Sequence, residues 1–276
     1  LIFPETAIPE PHWDHEVEYL YATQEIKKLN AIHPKLKTII GSLTTHLFTP
    51  DEELSVVARP FKDGRGHYEL YNSAIYIDSS AQSEMHIKSQ LVLGVERLPF
   101  VNNIPFMKNL SINLGGSAGG YGTQESPSVF QSKNDEVAIA PIICYESIYG
   151  EYVTEYARKG ANLFAIITND GWWKDTPGYK HHLAYARLRA IENRRDIVRS
   201  ANTGISAVIN AKGEIVQKTE WWKPAVLLAK VRLHNEQTFY TRYGDYLGRI
   251  AGFIAPLMLL LTVVKSLNKT GKRLTI

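Results

Sequence analysis

The chain has 276 residues, 44% of them hydrophobic and 21% charged, enough apolar material for a sizeable core and too much for a disordered tail. Its 31 basic and 28 acidic side chains leave a net charge of +3, too mild, and too unclustered outside the C-terminus, to mark a nucleic-acid binder. A single cysteine, Cys144, excludes an internal disulfide framework and a cysteine-based zinc site.

Leu1-Ile2-Phe3 reads as a short buried strand that Pro4 ends, leaving Glu5 at its carboxyl end. The chain opens on this strand with no methionine, basic leader or signal-peptide core, so it is expected to be a fragment with residues missing before Leu1. Asp14 to Ala31 has helical spacing, with Val17, Leu20, Tyr21, Ile26 and Leu29 on a broken apolar stripe. Thr38 to Leu43 reads as a strand, and its Gly41-Ser42 suits close approach of a neighbouring backbone. Residues 50–67 are polar and turn-rich. Tyr71 to Ile77 and His86 to Val92 read as strands, and the second carries Lys88. From Arg97 to Asn134 periodicity fades around a glycine-rich centre, Gly115 to Gly120. A loop this long inside a compact domain suits a lid or binding loop, and Ile104, Phe106, Met107 and Leu110 are its candidate bilayer-facing residues.

Val137 to Ile143 is an apolar run that predicts a buried strand, and Glu146 to Lys159 follows with a helical pattern. Cys144 therefore falls at a strand-to-helix junction, where a side chain stands at a sheet edge and the next backbone N–H points at whatever the sulfur attacks. The plainer alternative is a small, inert core residue. Leu163 to Thr168 is a further strand. Tyr179 to Arg195 reads as a helix with Leu183, Ala186, Leu188 and Ile191 inward and a basic outer face. Ile197–Ser200, Ile205–Ile209 and Ile215–Lys218 are short strands with turn signals between them. Strands alternating with helices, then a run of strands, predict an α/β sandwich.

Ile250 to Val264 carries no charge, with Arg249 before it and Lys265 after. Fifteen residues fall short of the roughly 17–25 that span a bilayer, but Arg and Lys stems extend the usable length. Membrane helices also tolerate an internal proline such as Pro256. The competing reading is a buried or interfacial helix. Lys265, Lys269, Lys272 and Arg273 lie beyond the segment with no acid among them, which puts the C-terminus in the cytoplasm and the body on the far side, in a bacterium the periplasm. An unpaired cysteine in an oxidising compartment is unusual unless its thiol is used.

Glu5, Lys88 and Cys144 thus stand in strands or at strand ends. A thiol needs a base, and a carboxylate held away from water can serve. A tetrahedral intermediate needs positive charge and N–H donors, which a fixed lysine and the Tyr145 N–H can supply. Spacing alone leaves the alternatives open: an exposed strand-end carboxylate for Glu5 and a solvated edge lysine for Lys88. Other motifs point elsewhere or nowhere. The glycine run at 115–122 lacks the Lys-Ser/Thr of a phosphate loop. The adjacent His181 and His182 face different directions on a helix and make no metal pair. Trp221-Trp222 suits a core or interface anchor equally.

Glu5, then Lys88 in His-Ile-Lys-Ser-Gln-Leu-Val, then Cys144-Tyr145-Glu146 resembles the Glu-Lys-Cys pattern of the nitrilase superfamily. More narrowly, the chain is similar to the apolipoprotein N-acyltransferase family. The stretches that carry the likeness are Phe3 to Ala7, Lys88 to Glu96, Ile143 to Glu146, Thr168 to Trp173, the Arg187 to Arg195 helix, Arg199 to Ile209, and Tyr240 to Asp245 before the final apolar helix. One departure lies at Leu91-Val92-Leu93-Gly94-Val95-Glu96, where the family's Leu-Val-Pro-Phe-Gly-Glu keeps its Glu but loses its Pro.

The resemblance implies a nitrilase-like αββα sandwich, N-terminally truncated, with a C-terminal transmembrane helix. The implied boundaries are a catalytic domain over 1–235, a linker over 236–248, a membrane helix over 249–266 and a basic cytoplasmic tail over 267–276. It also implies Glu5 as base, Lys88 as oxyanion holder, Cys144 as nucleophile, and Glu96, Tyr145, Glu146 and Trp172 as supporting or substrate-binding residues. No metal or organic cofactor is implied. The implied partners are a phospholipid acyl donor, a diacylglyceryl-apolipoprotein acceptor and a bacterial inner membrane. Two other readings use the same features: a nitrilase-type amidase on a small carbon–nitrogen substrate, and an inactive membrane-anchored binding protein.

Overall fold

A computed structural model describes residues 1–93, 95, 96 and 120–273, with side chains to Lys265. The lid candidates at 104–110 and most of the glycine run lie outside the described residues. Two sheets face each other, with helices on their outer sides. The first contains β1 (Ile8–Trp13), β2 (Thr38–Leu47), β3 (Arg59–Pro60), β4 (His67–Ile77) and β5 (Glu84–Ile87), in the order β1-β2-β4-β3 with β5 also on β4. The second contains β6 (Phe130–Gln131), β7 (Ala138–Ile143), β8 (Leu163–Asn169), β9 (Ile197–Asn202), β10 (Ala207–Ile209) and β11 (Ile215–Lys218), in the order β11-β10-β9-β8-β7-β6. Its centre, β7-β8-β9, is parallel.

Strand alternation sorts the layers. On β7 and β8, Ile139, Ile143, Ala165 and Ile167 face the first sheet and pack with Ile39, Ala74 and Tyr76. Their neighbours Ala140, Ile142, Phe164 and Ile166 face outward, onto Val153 and Tyr156 of α2 (Gly150–Arg158) and Leu183, Ala186 and Ala190 of α3 (Gly178–Asn193). On β4, Ile75 and Ile77 turn the other way and pack with Ile26 of α1 (Tyr21–Ile32). The result is the expected αββα sandwich.

Several elements differ from expectation, each for a local reason. The Leu1–Phe3 strand reduces to a single parallel bridge, Ile2 to Ile39, with Phe3 N–H donating to Ile39 O at 2.9 Å. β1 escaped notice because Pro9 and Pro11 break its strand signal; it is an edge strand, where missing ladder donors are tolerated. The helix over 14–31 splits at Leu20, whose extended backbone separates a 3₁₀ turn (Asp14–Tyr19) from α1. The ladder of the Lys88 strand stops at Ile87, so Lys88 follows it. In α3, Leu188 and Ile191 are exposed and Arg189 is buried, where it reaches Glu192 at 2.8 Å and Ile148 O at 3.2 Å. The inward face is set by His182, Leu183, Ala186, Ala190 and Asn193.

After β11 the chain runs to α4 (Phe239–Tyr243), which packs on α2 and α3 with Thr241 buried. α5 (Tyr246–Arg273) leaves from there. Its root is tied to α2: Glu151 accepts from the Asp245 N–H at 3.0 Å and pairs with Arg249. Phe239 meets Tyr243 at a tilt and Tyr246 edge to face, with ring centroids 4.5 and 5.0 Å apart. Tyr246–Lys265 is a 20-residue stretch long and apolar enough to cross a membrane, and none of it is buried against the body. At about 1.5 Å per residue it reaches about 30 Å, one hydrocarbon thickness.

Candidate active site

The segment Pro4-Glu5-Thr6 runs against Gly41 of β2. A Cβ on Gly41 would stand 2.6 Å from Pro4 O, Glu5 Cα and Thr6 N, so only glycine allows the approach. The Gly41 N–H donates to Pro4 O at 3.2 Å. Held this way, Glu5 is 3% exposed. Its Oε1 accepts from Asn72 Nδ2 at 2.7 Å and Lys88 Nζ at 3.1 Å, and its Oε2 from the Asn169 N–H at 2.8 Å. It is not the exposed carboxylate that its strand-end position also allowed.

Lys88 directly follows β5, its N–H donating to Asn72 O of β4 at 2.9 Å. Its ammonium is fully buried and donates to Glu96 Oε1 at 2.7 Å as well as to Glu5. Burial alone would lower its pKa, but the Glu5 and Glu96 carboxylates outweigh burial and hold it well above the ordinary value. Glu96 is fixed in turn: its Oε2 accepts from the Val92 N–H at 2.9 Å. A cation held between two carboxylates needs no reorganisation to meet developing negative charge.

Cys144 follows β7 and opens a 3₁₀ turn, Cys144–Ile148. Its φ of 51° is left-handed, a conformation that costs a side-chain-bearing residue about 1–3 kcal/mol and persists only where the surroundings enforce it. Fully buried Glu146 supplies one constraint. It accepts from the Ile143 N–H at 2.8 Å, the Ser89 N–H at 2.6 Å and Tyr152 OH at 3.0 Å, tying the Cys144 turn to the residue after Lys88. Burial would raise the Glu146 carboxylate, but His86 and, after it, the Ile143 and Ser89 N–H groups hold it below its ordinary pKa. The Cys144 carbonyl supplies the other constraint, accepting from Ser147 Oγ at 2.7 Å. Burial and then the Glu5 carboxylate push the thiol's pKa up, while Lys88 and the Thr168 hydroxyl oppose them without prevailing. The sulfur therefore favours the thiol form beside a carboxylate, and acting as a nucleophile would require it to lose that proton.

Glu5, Lys88, Glu96, Cys144, Tyr145 and Trp172 line one cavity of about 200 Å³, and Val92, Val95 and Trp173 add apolar wall. A second cavity of about 200 Å³ adjoins it through Glu5, Glu96 and Trp172, and is bounded by Asn72, Tyr121 and Asn169. Of the seven site residues that the resemblance implied, six line the first cavity and Glu146 lies behind it. Asn72, the Asn169 N–H, Thr168 and the buried pair His182 and Asp170 were missed. The readable signal was polarity in apolar settings: Asn72-Ser73 inside β4, and His182 on the same helical face as Leu183 and Ala186. His181 is exposed and His182 buried, so the two histidines indeed face apart.

Residues 1–240 match the family model described as carbon-nitrogen hydrolase. Over 274 residues the chain is 31% identical to the apolipoprotein N-acyltransferase of Chlorobaculum tepidum, covering 96% of this chain and 49% of that protein. It is 34% identical over 158 residues to that of Geobacter metallireducens, covering 57% and 29%. The chain thus spans about half the length of such relatives, or less. Among solved structures, a variant of an amidase from Nesterenkonia sp. AN1 shares the fold with a TM-score of 0.53 at 14% identity, over 90% of this chain and 84% of the amidase. A second structure of that amidase gives 0.51 at 14% identity, over 83% and 74%. The chain belongs to the carbon–nitrogen hydrolase family, the nitrilase superfamily, and within it is similar to the apolipoprotein N-acyltransferases.

Proposed function

We propose that the chain is the catalytic part of an apolipoprotein N-acyltransferase, which moves an acyl chain from a phospholipid to the α-amino group of an N-terminal diacylglyceryl-cysteine. The observation that carries this reading is a buried Glu5, Lys88 and Cys144 around one largely apolar-walled cavity, on a body bearing a helix apolar enough to cross a membrane.

Glu5 takes the thiol proton as the sulfur attacks the ester carbonyl, forming a C–S bond. The oxyanion is met by the Lys88 ammonium and the Tyr145 N–H. Collapse breaks the C–O bond, and Glu5 gives its proton to the departing glyceryl oxygen, leaving a thioester on Cys144. The acceptor amine then attacks the thioester and loses a proton to Glu5. The C–S bond breaks, and the sulfur regains a proton. An α-amino group, with an ordinary pKa of about 7.7–8.0, is partly neutral near pH 7 and suits the second step. Glu96 positions Lys88, Glu146 holds the turn, and Trp172 lines the acyl entrance.

In this reading residues 1–235 form the catalytic domain on the periplasmic side and 236–248 lead to the membrane. Residues 249–266 span the inner membrane, and 267–276 form a basic cytoplasmic tail. An amidase would use the same three residues with water as acceptor, but has no need of the apolar helix. The test is labelling of the full chain with an alkyne-tagged phospholipid. The tag is expected on Cys144 and absent from Cys144→Ala; equal labelling of both would refute the proposal.

A further inference from the structure

A buried polar cluster stands behind the nucleophile and takes no part in the steps above. Ser147, Asp170, His182 and Arg199 are all buried. Ser147 Oγ donates to the Cys144 carbonyl at 2.7 Å. His182 Nε2 lies 2.9 Å from that hydroxyl and 3.1 Å from the same carbonyl. Its Nδ1 lies 2.9 Å from Asp170 Oδ1, and Asp170 Oδ2 accepts from Arg199 Nη2 at 2.7 Å. The turn after β7, the turn after β8, α3 and β9 thus converge on one backbone oxygen.

That oxygen is one end of the Cys144–Tyr145 peptide unit, and the other end is the Tyr145 N–H. Tyr145 is the second residue of its 3₁₀ turn, so its N–H has no acceptor within the turn. In a planar trans peptide the C=O and N–H point in opposite directions. Anchoring the carbonyl on Ser147 therefore aims the N–H away from the buried cluster. A donor on the carbonyl also polarises the unit and strengthens its N–H as a donor.

We propose that Ser147, His182 and Asp170 form a positioning relay for the oxyanion, holding and polarising the peptide whose N–H meets negative charge when Cys144 is acylated. This rests on the acyl-transfer reading of Cys144. Asp170 keeps the ring hydrogen on Nδ1, leaving Nε2 to orient the Ser147 hydroxyl. Burial and the Arg199 guanidinium push the His182 pKa below its ordinary value, so the ring is neutral at working pH and Ser147 shares its hydrogen between Nε2 and the carbonyl. The ring edge borders the cavity, but both its nitrogens are engaged inward, so His182 is a positioning residue and not the base.

Two rates on the full chain in detergent micelles test the relay. Alkylation of Cys144 by iodoacetamide is substitution at a saturated carbon and forms no oxyanion; the acylation burst with a p-nitrophenyl ester passes through one. Losing a whole oxyanion donor costs about 10²–10³-fold. Weakening one is therefore expected to slow acylation about 10-fold in Ser147→Ala and by about 10-fold or less in His182→Ala, which acts through that hydroxyl, with alkylation within about threefold of wild type. Ser147→Thr, which keeps the hydroxyl, restores most of the acylation. Should His182→Ala fail to fold, the two Ser147 variants carry the test. Acylation unchanged within about twofold, or both rates falling together, would overturn the relay. A wild-type chain that alkylates but gives no burst would overturn the acyl-transfer reading itself, and the relay with it.

Discussion

The centre of the sandwich and the final helix invert each other. At the centre, between sheets of Ile, Ala and Phe, sit Glu5, Lys88, Glu96, Glu146, Asp170 and Arg199, all buried. On α5, Phe253, Met258, Leu259, Leu260 and Leu261 are all exposed. Each arrangement is costly in water alone. Buried charge persists because every charge has a partner: Lys88 has Glu5 and Glu96, Glu146 has backbone N–H groups, and Asp170 has Arg199. Exposed hydrocarbon on this scale calls for a second solvent. The centre of the body is thus held by electrostatic pairing inside an apolar frame, whereas the helix presents hydrocarbon long and apolar enough to cross a membrane, and each is breakable by its own kind of substitution.

The largest expected effect is at the centre. Lys88→Met leaves Glu5 and Glu96 facing each other without their cation and should cost about 3–5 kcal/mol, read from the denaturant midpoint, with acylation lost. A variant as stable as wild type would show that the carboxylates do not depend on Lys88. On the helix, Leu257→Arg places a charge near mid-span and should weaken insertion by about 2.5–3.5 kcal/mol. Carbonate should then release more of the protein from membranes, and unchanged retention would argue against a spanning segment.

Two smaller effects sharpen the picture of the centre. Gly41→Ala forces Pro4-Glu5-Thr6 outward and should cost about 1–3 kcal/mol. Acylation should fall more than tenfold while α5 still partitions normally; wild-type acylation would show that Glu5 tolerates the shift. The last effect concerns pH. The folded thiol's pKa lies above its ordinary value of 9.0 because of burial and Glu5. The folded state therefore keeps a proton that the unfolded chain releases. This contribution to stability is fully present below pH 9.0 and is lost as pH rises toward the folded pKa, by about 1.4 kcal/mol per pH unit. Alkylation of Cys144 should correspondingly climb about tenfold per pH unit up to pH 9 with no plateau. A plateau below pH 8 would mean a resting thiolate and contradict the burial argument.

Much of the architecture was legible because strand alternation and helical spacing are local. The apolar run before Cys144 and the uncharged run from Ile250 to Val264 could be read directly. The site was legible only as types at strand ends: Glu5, Lys88 and Cys144 are distant in sequence, and no spacing rule makes them meet. Resemblance linked them, and the structure gave the link its physical form in Gly41, Asn72 and Glu96. The residues that escaped were those whose role lies in what they bond. His182 looked like half of a spent metal motif, and Asp170 was one letter of a stretch that carried the family likeness, until packing placed both behind Cys144. β1 was hidden by its prolines, and the phase of α3 by a buried arginine.

The most direct test of acyl transfer through Cys144 is a chase of the acyl-enzyme. The full chain would be loaded with a defined phospholipid, and its intact mass and acylated peptide recorded before and after a diacylglyceryl-cysteine lipopeptide is added. The expected result is one acyl chain on Cys144 that disappears on the chase as the same chain appears on the peptide's α-amino group. An adduct on another residue, or loss of the chain as free fatty acid with no transfer to the peptide, would contradict it.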